Sequence, residues 1–333
     1  MQTSPDDSNP TVLITGGLGC IGVTTTQWLL KHYDCQIVIL SRKADQASVE
    51  QEFPESNGRV NAVAADVRSV QDLQAVLDER QITHVAHMAG LQTPDCNANR
   101  DMGLQINLAG TQNLIEAIKQ SNLAVQRVVF ASSVAVYGPR DSYPAGQVPM
   151  LSDPSPVNVY GVWKLAGEHV SRLFHEETGV PTINIRPGAL FGPGRDRGLT
   201  ATPTTAMKHL AVGKPYEIPY RSKQDYLYAH DVGAAVANTL LEPFEGYASF
   251  TLPGHTADSA TFVRLIQELA SELEIEDPGI THGQDEVPFI CELDFEPFCK
   301  AFPKAALTPL KEAIRQSILV FQEQSAKGML HLS

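Results

Sequence analysis

Tyr160 and Lys164 stand four residues apart in a stretch whose hydrophobic spacing predicts a helix over residues 158–177. Both side chains therefore project from one face, about one turn apart. A tyrosine with a pKa of about 10 is a poor base, but an adjacent ammonium stabilises its phenolate. Such a pair can accept the proton of a substrate hydroxyl while hydride leaves the carbon. Ser133, at the end of a predicted strand, is the expected partner for the developing oxyanion, and Ser132 is the alternative.

A glycine-rich segment follows the first predicted strand directly and opens a helix. It reads Thr-Gly-Gly-Leu-Gly-Cys-Ile-Gly over residues 15–22. Glycines let the backbone turn tightly beside a pyrophosphate at a helix N-terminus. An ordinary strand-to-helix turn can look the same, so the motif needs support from elsewhere in the chain. The expected cofactor contacts in this turn are Gly16, Gly19, Cys20, Ile21 and Gly22.

The ends of the next three predicted strands supply that support. Ser41 and Arg42 follow the second strand and suit the 2′-phosphate of NADP, whereas an acidic residue there would indicate NAD. A solvated basic turn is the competing interpretation, so NADP is only slightly favoured over NAD. Asp66, followed by Val67, ends the third strand and is expected to bind the adenine amino group. Small residues end the fourth strand and add Met88, Ala89 and Gly90 to the expected contacts.

These residues need a sheet to position them. Over residues 11–186 short β-branched runs alternate with segments of helical period, which predicts an α/β fold with a Rossmann-type doubly wound parallel sheet. Strands are expected at 12–15, 36–40, 61–65, 84–88, 127–131 and 182–186, with a return to the sheet at 225–230. Helices are expected at 21–31, 70–79, 102–120, 158–177, 261–273 and 309–322.

Glycine and proline become frequent after Gly188, which predicts a smaller C-terminal substrate-binding lobe. We therefore expect residues 10–187 to form the dinucleotide-binding domain, returning around 225–250. Residues 188–224 and 251–330 are expected to form the lobe.

The composition narrows the class of partner. The chain has 25 Lys and Arg against 38 Asp and Glu, and its formal net charge of -13 repels nucleic acid and anionic membrane surfaces. It shows no apolar run of membrane-spanning length and no signal-peptide pattern at its start, so we expect a cytoplasmic protein. Five cysteines without C-x-x-C spacing predict neither a disulfide framework nor a metal site. A small molecule is the expected partner.

Taken together, these motifs resemble the extended short-chain dehydrogenases/reductases, the NAD-dependent epimerase/dehydratase family. The resemblance covers most of the chain and includes the glycine turn, the Tyr-x-x-x-Lys pair, the Asn-Leu-Ala-Gly-Thr segment from Asn107, and Arg-Pro-Gly at residues 186–188. It implies NAD or NADP over the C-terminal edge of the sheet, with Asn107, Tyr160, Lys164 and Pro187 among the cofactor contacts. It also implies substrate in the cleft beside the lobe and a homodimer.

Two departures from the family bear on the substrate. Nucleotide-sugar members of the family that this chain resembles usually carry an asparagine three residues after the arginine of the sixth strand. They also tend to carry an arginine just before a later Asp-Tyr. Here those positions hold Ala189 and Gln224. Dehydratase members carry Thr-Asp-Glu after the fifth strand, where this chain has Ser-Val-Ala, which argues against dehydration. The expected substrate contacts are Gln92, Ser133, Gly188 and Arg195.

Three functions follow as hypotheses. The first is an NAD(P)-dependent oxidoreductase that interconverts an alcohol and a ketone on a small polyhydroxy or metabolite substrate, with Tyr160 as acid and base. The second is a nucleotide-sugar 4-epimerase that holds its NAD tightly. The third is a non-catalytic dinucleotide-sensing module, which ranks last because Tyr160, Lys164 and Ser133 are all present.

Overall fold

A computed structural model describes residues 9–122, 125–305 and 307–332. The strands are β1 (Thr11–Thr15), β2 (Gln36–Ser41), β3 (Val60–Ala64), β4 (His84–His87), β5 (Arg127–Ala131), β6 (Thr182–Arg186), β7 (Ala189–Phe191), β8 (Tyr216–Ile218), β9 (Lys223–Tyr228), β10 (Tyr247–Thr251), β11 (His255–Asp258) and β12 (Ile280–His282). Seven of them form a parallel sheet in the order β10-β6-β5-β4-β1-β2-β3. The doubly wound fold predicted from the sequence is confirmed.

Helices cover both faces of this sheet. They are α1 (Cys20–His32), α2 (Gln46–Glu52), α3 (Val70–Glu79), α4 (Thr93–Ala98), α5 (Arg100–Leu104), α6 (Gly110–Gln120), α7 (Val159–Thr178), α8 (Thr202–Ala211), α9 (Ala229–Leu241), α10 (Ser259–Glu272), α11 (Glu296–Ala301) and α12 (Leu310–Ala326). Alternate residues of β1 point to opposite faces: Val12 and Ile14 pack with Leu29 of α1, whereas Leu13 packs with Leu73 of α3. The buried runs on both sides explain why the strands are hydrophobic throughout.

The order of the sheet creates a crevice at its carboxyl edge. The chain runs outward from β1 to β2 and β3, and then returns to the other side of β1 with β4. Ligands of open α/β sheets bind at such a switch point, outside the carboxyl ends of the strands. The glycine turn follows β1 and therefore lies at this point.

Helix α7 is placed against this crevice by its own first turn. Asn158 caps the helix, because its side chain accepts a hydrogen bond from the Gly161 N–H at 2.9 Å. Gly161 lies so close to the loop after β5 that a Cβ there would be 2.1 Å from the Ala135 carbonyl oxygen. That approach brings Tyr160 next to the segment that carries Ser133.

The predicted return to the main sheet at residues 225–230 is wrong. Most of these residues form β9, which pairs with β7 and β11 in a three-stranded sheet of the lobe, and the seventh strand of the main sheet is β10. Tyr226 and Tyr228 pack against Phe191 in the lobe core, with ring centroids 6.3 and 5.7 Å apart. The hydrophobic pattern indicated a buried strand but not which of two cores buries it.

The chain also returns to the first unit after residue 251, within the segment that we expected to belong to the lobe alone. Phe298 and Phe302, which lie in or directly after α11, pack on Phe250 of β10 with ring centroids 5.7 and 5.9 Å apart. Helices α8, α10 and α12 do pack around the lobe core. The cause is again hydrophobic: the exposed end of the main sheet beside β10 needs an apolar cover.

The single helix predicted over residues 102–120 is divided in the structure. Helices α5 and α6 are joined by one turn of π-helix, Gln105–Ala109. A π turn inserts an extra residue without ending the helix, so hydrophobic spacing alone does not reveal it. Asn107 lies on this turn and is buried.

Candidate active site

A cavity of about 840 Å³ opens between the carboxyl edge of the main sheet and the lobe. This is the size range of small-molecule sites. The expected site residues that line it are Gly16, Gly19, Cys20, Ile21, Gly22, Ser41, Arg42, Met88, Ala89, Gly90, Gln92, Ser133, Tyr160, Lys164, Pro187, Gly188 and Arg195. The expected cofactor contacts Asp66, Val67 and Asn107 do not line it.

The glycine turn brings two pieces of backbone into close approach. Gly16 has a left-handed φ of 68°, and a Cβ there would lie 2.9 Å from the Cα of Ala89. A Cβ at Gly22 would lie 2.5 Å from the Cα of Gly17. Gly19 is the N-cap of α1 and provides no side-chain cap. This cradle at a helix N-terminus fits the pyrophosphate of a dinucleotide.

Tyr160, Lys164 and Ser133 meet on the opposite wall of the cavity. The Lys164 ammonium donates a hydrogen bond to the Ala131 carbonyl oxygen at 2.7 Å and lies 5.8 Å from the centroid of the Tyr160 ring. Burial raises the pKa of Tyr160, while a hydrogen bond with Ser133 and the positive charge of Arg195 lower it. Burial lowers the pKa of Lys164 to about 8.

A buried ionic network includes Ser132, the alternative to Ser133. The Ser132 hydroxyl donates to Glu168 at 2.5 Å, and Glu168 forms a buried salt bridge with Arg186 at 2.6 Å. Arg186 also donates to the hydroxyl of Tyr137 at 2.7 Å. Ser132 is thus hydrogen-bonded to Glu168, whereas Ser133 is hydrogen-bonded to Tyr160.

The three expected cofactor contacts outside the cavity wall have protein partners instead. Asp66 forms a salt bridge with Arg68 at 2.6 Å, and this bond lowers the pKa of the Asp66 carboxyl. Val67 packs against Gly110 of α6. The amide of Asn107 accepts from the Leu91 N–H at 2.7 Å and donates to the Leu91 carbonyl at 2.9 Å. Asn107 therefore fixes the loop after β4, which does line the cavity.

Several residues that line the cavity or hold its catalytic helix in place were not predicted from the sequence. Glu168 follows Tyr160 and Lys164 at the same four-residue spacing, so the face it shares with them could have revealed it. Gln224 was noted only as a departure from the family, but it is buried and lines the cavity. No local signal marks the far apolar wall, because its residues come from a distant loop: Val287, Pro288, Phe289 and Ile290.

Two kinds of feature are absent from the residues that the structure describes. No helix in these ranges is long and apolar enough to cross a lipid bilayer. Within the same ranges, no group of three or more His, Cys, Asp or Glu side chains is arranged to hold a metal ion.

With this geometry established, the sequence can be compared with known proteins. Residues 12–250 match the NAD dependent epimerase/dehydratase family, so the chain belongs to that family. A dTDP-L-rhamnose 4-epimerase from Burkholderia thailandensis is 26% identical over 284 residues, which is 74% of this chain and 77% of that protein. An uncharacterised epimerase/dehydratase from Staphylococcus aureus is 25% identical over 323 residues, 92% of this chain and 97% of its own.

Solved structures share the fold over nearly the whole chain. A UDP-glucose 4-epimerase from Thermus thermophilus in complex with NAD superimposes with a TM-score of 0.78 at 23% identity, over 94% of this chain and 99% of that one. A UDP-glucuronic acid 4-epimerase from Bacillus cereus, bound to UDP-glucuronic acid and NAD, gives a TM-score of 0.76 at 20% identity, with the same coverage of 94% and 99%. Family and fold together support an enzyme related to NAD-dependent epimerases and dehydratases.

Proposed function

We propose that this protein is an NAD(P)-dependent oxidoreductase that interconverts an alcohol and a ketone on a small polyhydroxylated substrate. The observation that carries the proposal is that Tyr160, Ser133 and Lys164 share one cavity with the glycine turn. A proton-transfer group and a dinucleotide cradle in one cavity are what hydride transfer at a hydroxyl-bearing carbon requires.

Each residue of the triad has a defined role in the proton transfer. Tyr160 accepts the hydroxyl proton in oxidation and returns it in reduction. Ser133, hydrogen-bonded to Tyr160, orients the substrate oxygen and stabilises the negative charge that develops on it. Lys164 supplies a positive charge beneath the Tyr160 ring and is held there by the Ala131 carbonyl. Glu168, four residues further on, joins α7 to β6 through Arg186 and keeps that helix in place.

The residues that would hold the cofactor are those of the glycine turn, with Ser41 and Arg42 at the end of β2. When bound, a nicotinamide dinucleotide supplies the hydride acceptor or donor. Ser41 and Arg42 both line the cavity, which supports a slight preference for NADP over NAD. Gly16 and Gly22 permit the close backbone approaches to Ala89 and Gly17 that shape this turn.

Uncharged residues of the cavity wall support the proposal that the substrate is small and is not a sugar nucleotide. Ala189 and Gln224 line the cavity at the two positions where nucleotide-sugar relatives carry diphosphate-binding groups. Neither has a charge with which to bind a diphosphate. Two of the anion contacts that a sugar nucleotide uses in such relatives are therefore missing.

The test is a spectrophotometric assay of nicotinamide reduction with a panel of polyols, sugars and sugar acids, each with NAD and with NADP. The wild-type enzyme is expected to reduce the cofactor with at least one substrate. Tyr160→Phe is expected to lower turnover by about 100- to 10,000-fold, because it removes the acid/base group without changing the ring. Its dinucleotide affinity is expected to stay the same. Wild-type protein that reduces neither cofactor with any member of the panel would contradict the proposal.

A nucleotide-sugar 4-epimerase is the second candidate, and its support is the nature of the relatives together with a cavity of about 840 Å³. Such an enzyme would interconvert two sugar nucleotides without net change in nicotinamide absorbance. Chromatography of UDP- and dTDP-sugars after incubation separates the two candidates. Conversion of one sugar nucleotide into its 4-epimer, with no net reduction of cofactor, would favour the epimerase.

A further inference from the structure

Two buried polar atoms on the lobe side of the cavity have no hydrogen-bond partner within residues 9–122, 125–305 and 307–332. They are Nε of Arg195, which is a donor, and Oε1 of Gln224, which is an acceptor. Both residues line the cavity. Buried polar groups are nearly always satisfied, so a vacant donor and a vacant acceptor in one cavity indicate the groups that a ligand brings.

Among the residues that the structure describes, no carboxylate pairs with Arg195. Asp196, its neighbour in the chain, pairs instead with Lys208 at 2.6 Å. Burial lowers the pKa of Arg195, and the groups whose charges act on it in the opposite direction are Cys20, Tyr160 and Tyr220, none of them a carboxyl. A guanidinium keeps its proton even so, and it therefore faces the cavity as an uncompensated cation.

Arg195 and Gln224 both lie beside Tyr220, and Arg195 is also near the catalytic tyrosine. The Tyr220 hydroxyl interacts with both, through a hydrogen bond with Gln224 and through the charge of Arg195. Arg195 also acts on Tyr160. On its other side, a Cβ added at Gly198 would lie 2.9 Å from Nη2 of Arg195, which shows how closely the loop packs around this side chain.

We propose that the substrate is a polyhydroxy acid whose carboxylate pairs with Arg195 while one of its hydroxyl groups donates to Gln224 Oε1. This inference rests on the proposed function and names its substrate class. The half-buried guanidinium of Arg195 balances the single charge of a carboxylate, whereas the two charges of a diphosphate would also need Arg197, an exposed arginine that lines the same cavity. Because Arg195 acts on Tyr160, the carboxylate lies on the same side of the substrate as the reacting carbinol.

The binding test uses Tyr160→Phe protein loaded with dinucleotide, so that no turnover is needed. Calorimetry compares D-gluconate, D-galactonate and D-glucuronate with the neutral alditols D-glucitol and D-galactitol, and with UDP-glucose. At least one acid is expected to bind, and to bind about 10-fold or more tightly than the alditols, because truncated charge pairs typically cost that much or more. Alditols that bind as tightly as the acids would overturn the proposal.

Substitutions at Arg195 identify the group that holds the carboxylate. In the same background, Arg195→Gln is expected to weaken acid binding by about 30-fold or more and to leave dinucleotide affinity unchanged. Arg195→Lys, which keeps the positive charge, is expected to retain part of the affinity for the acid. The matched control is Arg221→Gln, an exposed arginine of the same lobe outside the cavity wall, which should bind the acid normally.

Gln224→Glu provides a second variant that adds no atoms to the side chain. It places a carboxylate beside Arg195, so the acid should no longer bind while alditol binding persists. Loss of dinucleotide affinity in Arg195→Gln with unchanged acid affinity would reassign Arg195 to a cofactor phosphate and overturn the proposal. Binding of UDP-glucose that depends on Arg195, with no acid bound, would overturn it in favour of a diphosphate.

The two proposals fail in different ways. An acid that binds through Arg195 but never reduces cofactor in the wild-type enzyme would refute the oxidoreductase function and leave the acid site standing. Cofactor reduction with neutral polyols alone, unaffected by Arg195→Gln, would refute the acid site and leave the oxidoreductase function standing.

Discussion

Close backbone contacts shape the cavity wall at the glycine turn, which we assign to the cofactor. Long side chains such as Arg195 and Gln224 line the cavity in the lobe, which we assign to the substrate. At Gly16 and Gly22, a single added carbon would meet main-chain atoms at 2.9 and 2.5 Å. In the loop over residues 192–200, Arg195 has a vacant donor, and the side chain of Leu199 is 57% exposed. Under the proposed function, this difference predicts that a dinucleotide is recognised mainly by a tight backbone turn and the substrate mainly by side chains.

The largest expected effect is a loss of dinucleotide affinity on substitution in the glycine turn. Gly22→Ala should lower dinucleotide affinity by about 100-fold or more and lower Tm, because the methyl group meets the backbone of Gly17, which cannot move aside. Leu199→Ala, a larger truncation on the substrate side, should change dinucleotide affinity by less than about 3-fold. Fluorescence titration and thermal unfolding measure both. Equal losses in the two variants would remove the distinction between the two sides.

Neighbouring serines offer a comparison within the catalytic wall. Ser133→Ala should lower turnover by about 100-fold, as loss of an oxyanion contact does, with little change in stability. Ser132→Ala leaves Glu168 without its hydroxyl donor and should lower the free energy of unfolding by about 1–3 kcal/mol. Steady-state kinetics and urea unfolding of both variants provide the measurements. The reversed pattern would mean that Ser132 is the catalytic serine.

A smaller effect concerns Arg42, whose guanidinium we assign to a phosphate of the cofactor. Arg42→Ala should weaken NADP binding by about 10-fold and leave NAD binding unchanged, because only NADP brings a 2′-phosphate to this strand end. Lys43→Ala, at an exposed neighbour outside the cavity wall, is the control and should affect neither. Competition titrations with both dinucleotides measure the ratio. Similar losses for NAD and NADP would rule out 2′-phosphate recognition by Arg42.

The smallest effect is a pH dependence. Burial lowers the pKa of Lys164 to about 8 in the folded protein, whereas the unfolded chain keeps a value of about 10.4. Between these values the unfolded chain binds one more proton, so stability rises as pH increases from about 8 to about 10. Lys164→Met should lack this rise, which we expect to be on the order of 1–2 kcal/mol. Urea unfolding without dinucleotide tests it, and parallel curves for both proteins would contradict it.

The sequence predicted the residues whose position depends on local structure. The glycine turn, Tyr160 and Lys164 each lie in a short segment whose spacing determines their geometry, and the structure brings them to one cavity. The choice between Ser132 and Ser133 was not local. It depends on Glu168 and Arg186, which come from α7 and β6.

Long-range packing accounts for what the sequence did not reveal. Asp66 was expected to end the third strand, but β3 ends at Ala64 and Arg68 binds the Asp66 carboxyl. Residues 287–290 complete the cavity from a loop more than a hundred residues after Tyr160. Their contact depends on how the lobe folds onto the sheet, and no spacing rule within one segment describes that.

The path of the chain between the two cores has a consequence for how the protein can be divided. Helix α9 and strand β10 complete the first unit, but they follow β9 of the lobe in the chain. The Asp231 carboxylate of α9 also accepts hydrogen bonds from the backbone N–H and the hydroxyl of Thr308, just before α12, at 2.7 and 2.8 Å. A fragment that ends after residue 187 would expose the edge of β6 and the apolar face that α9 covers. We therefore expect that the dinucleotide-binding half does not fold as an autonomous module and that both halves melt in one cooperative transition.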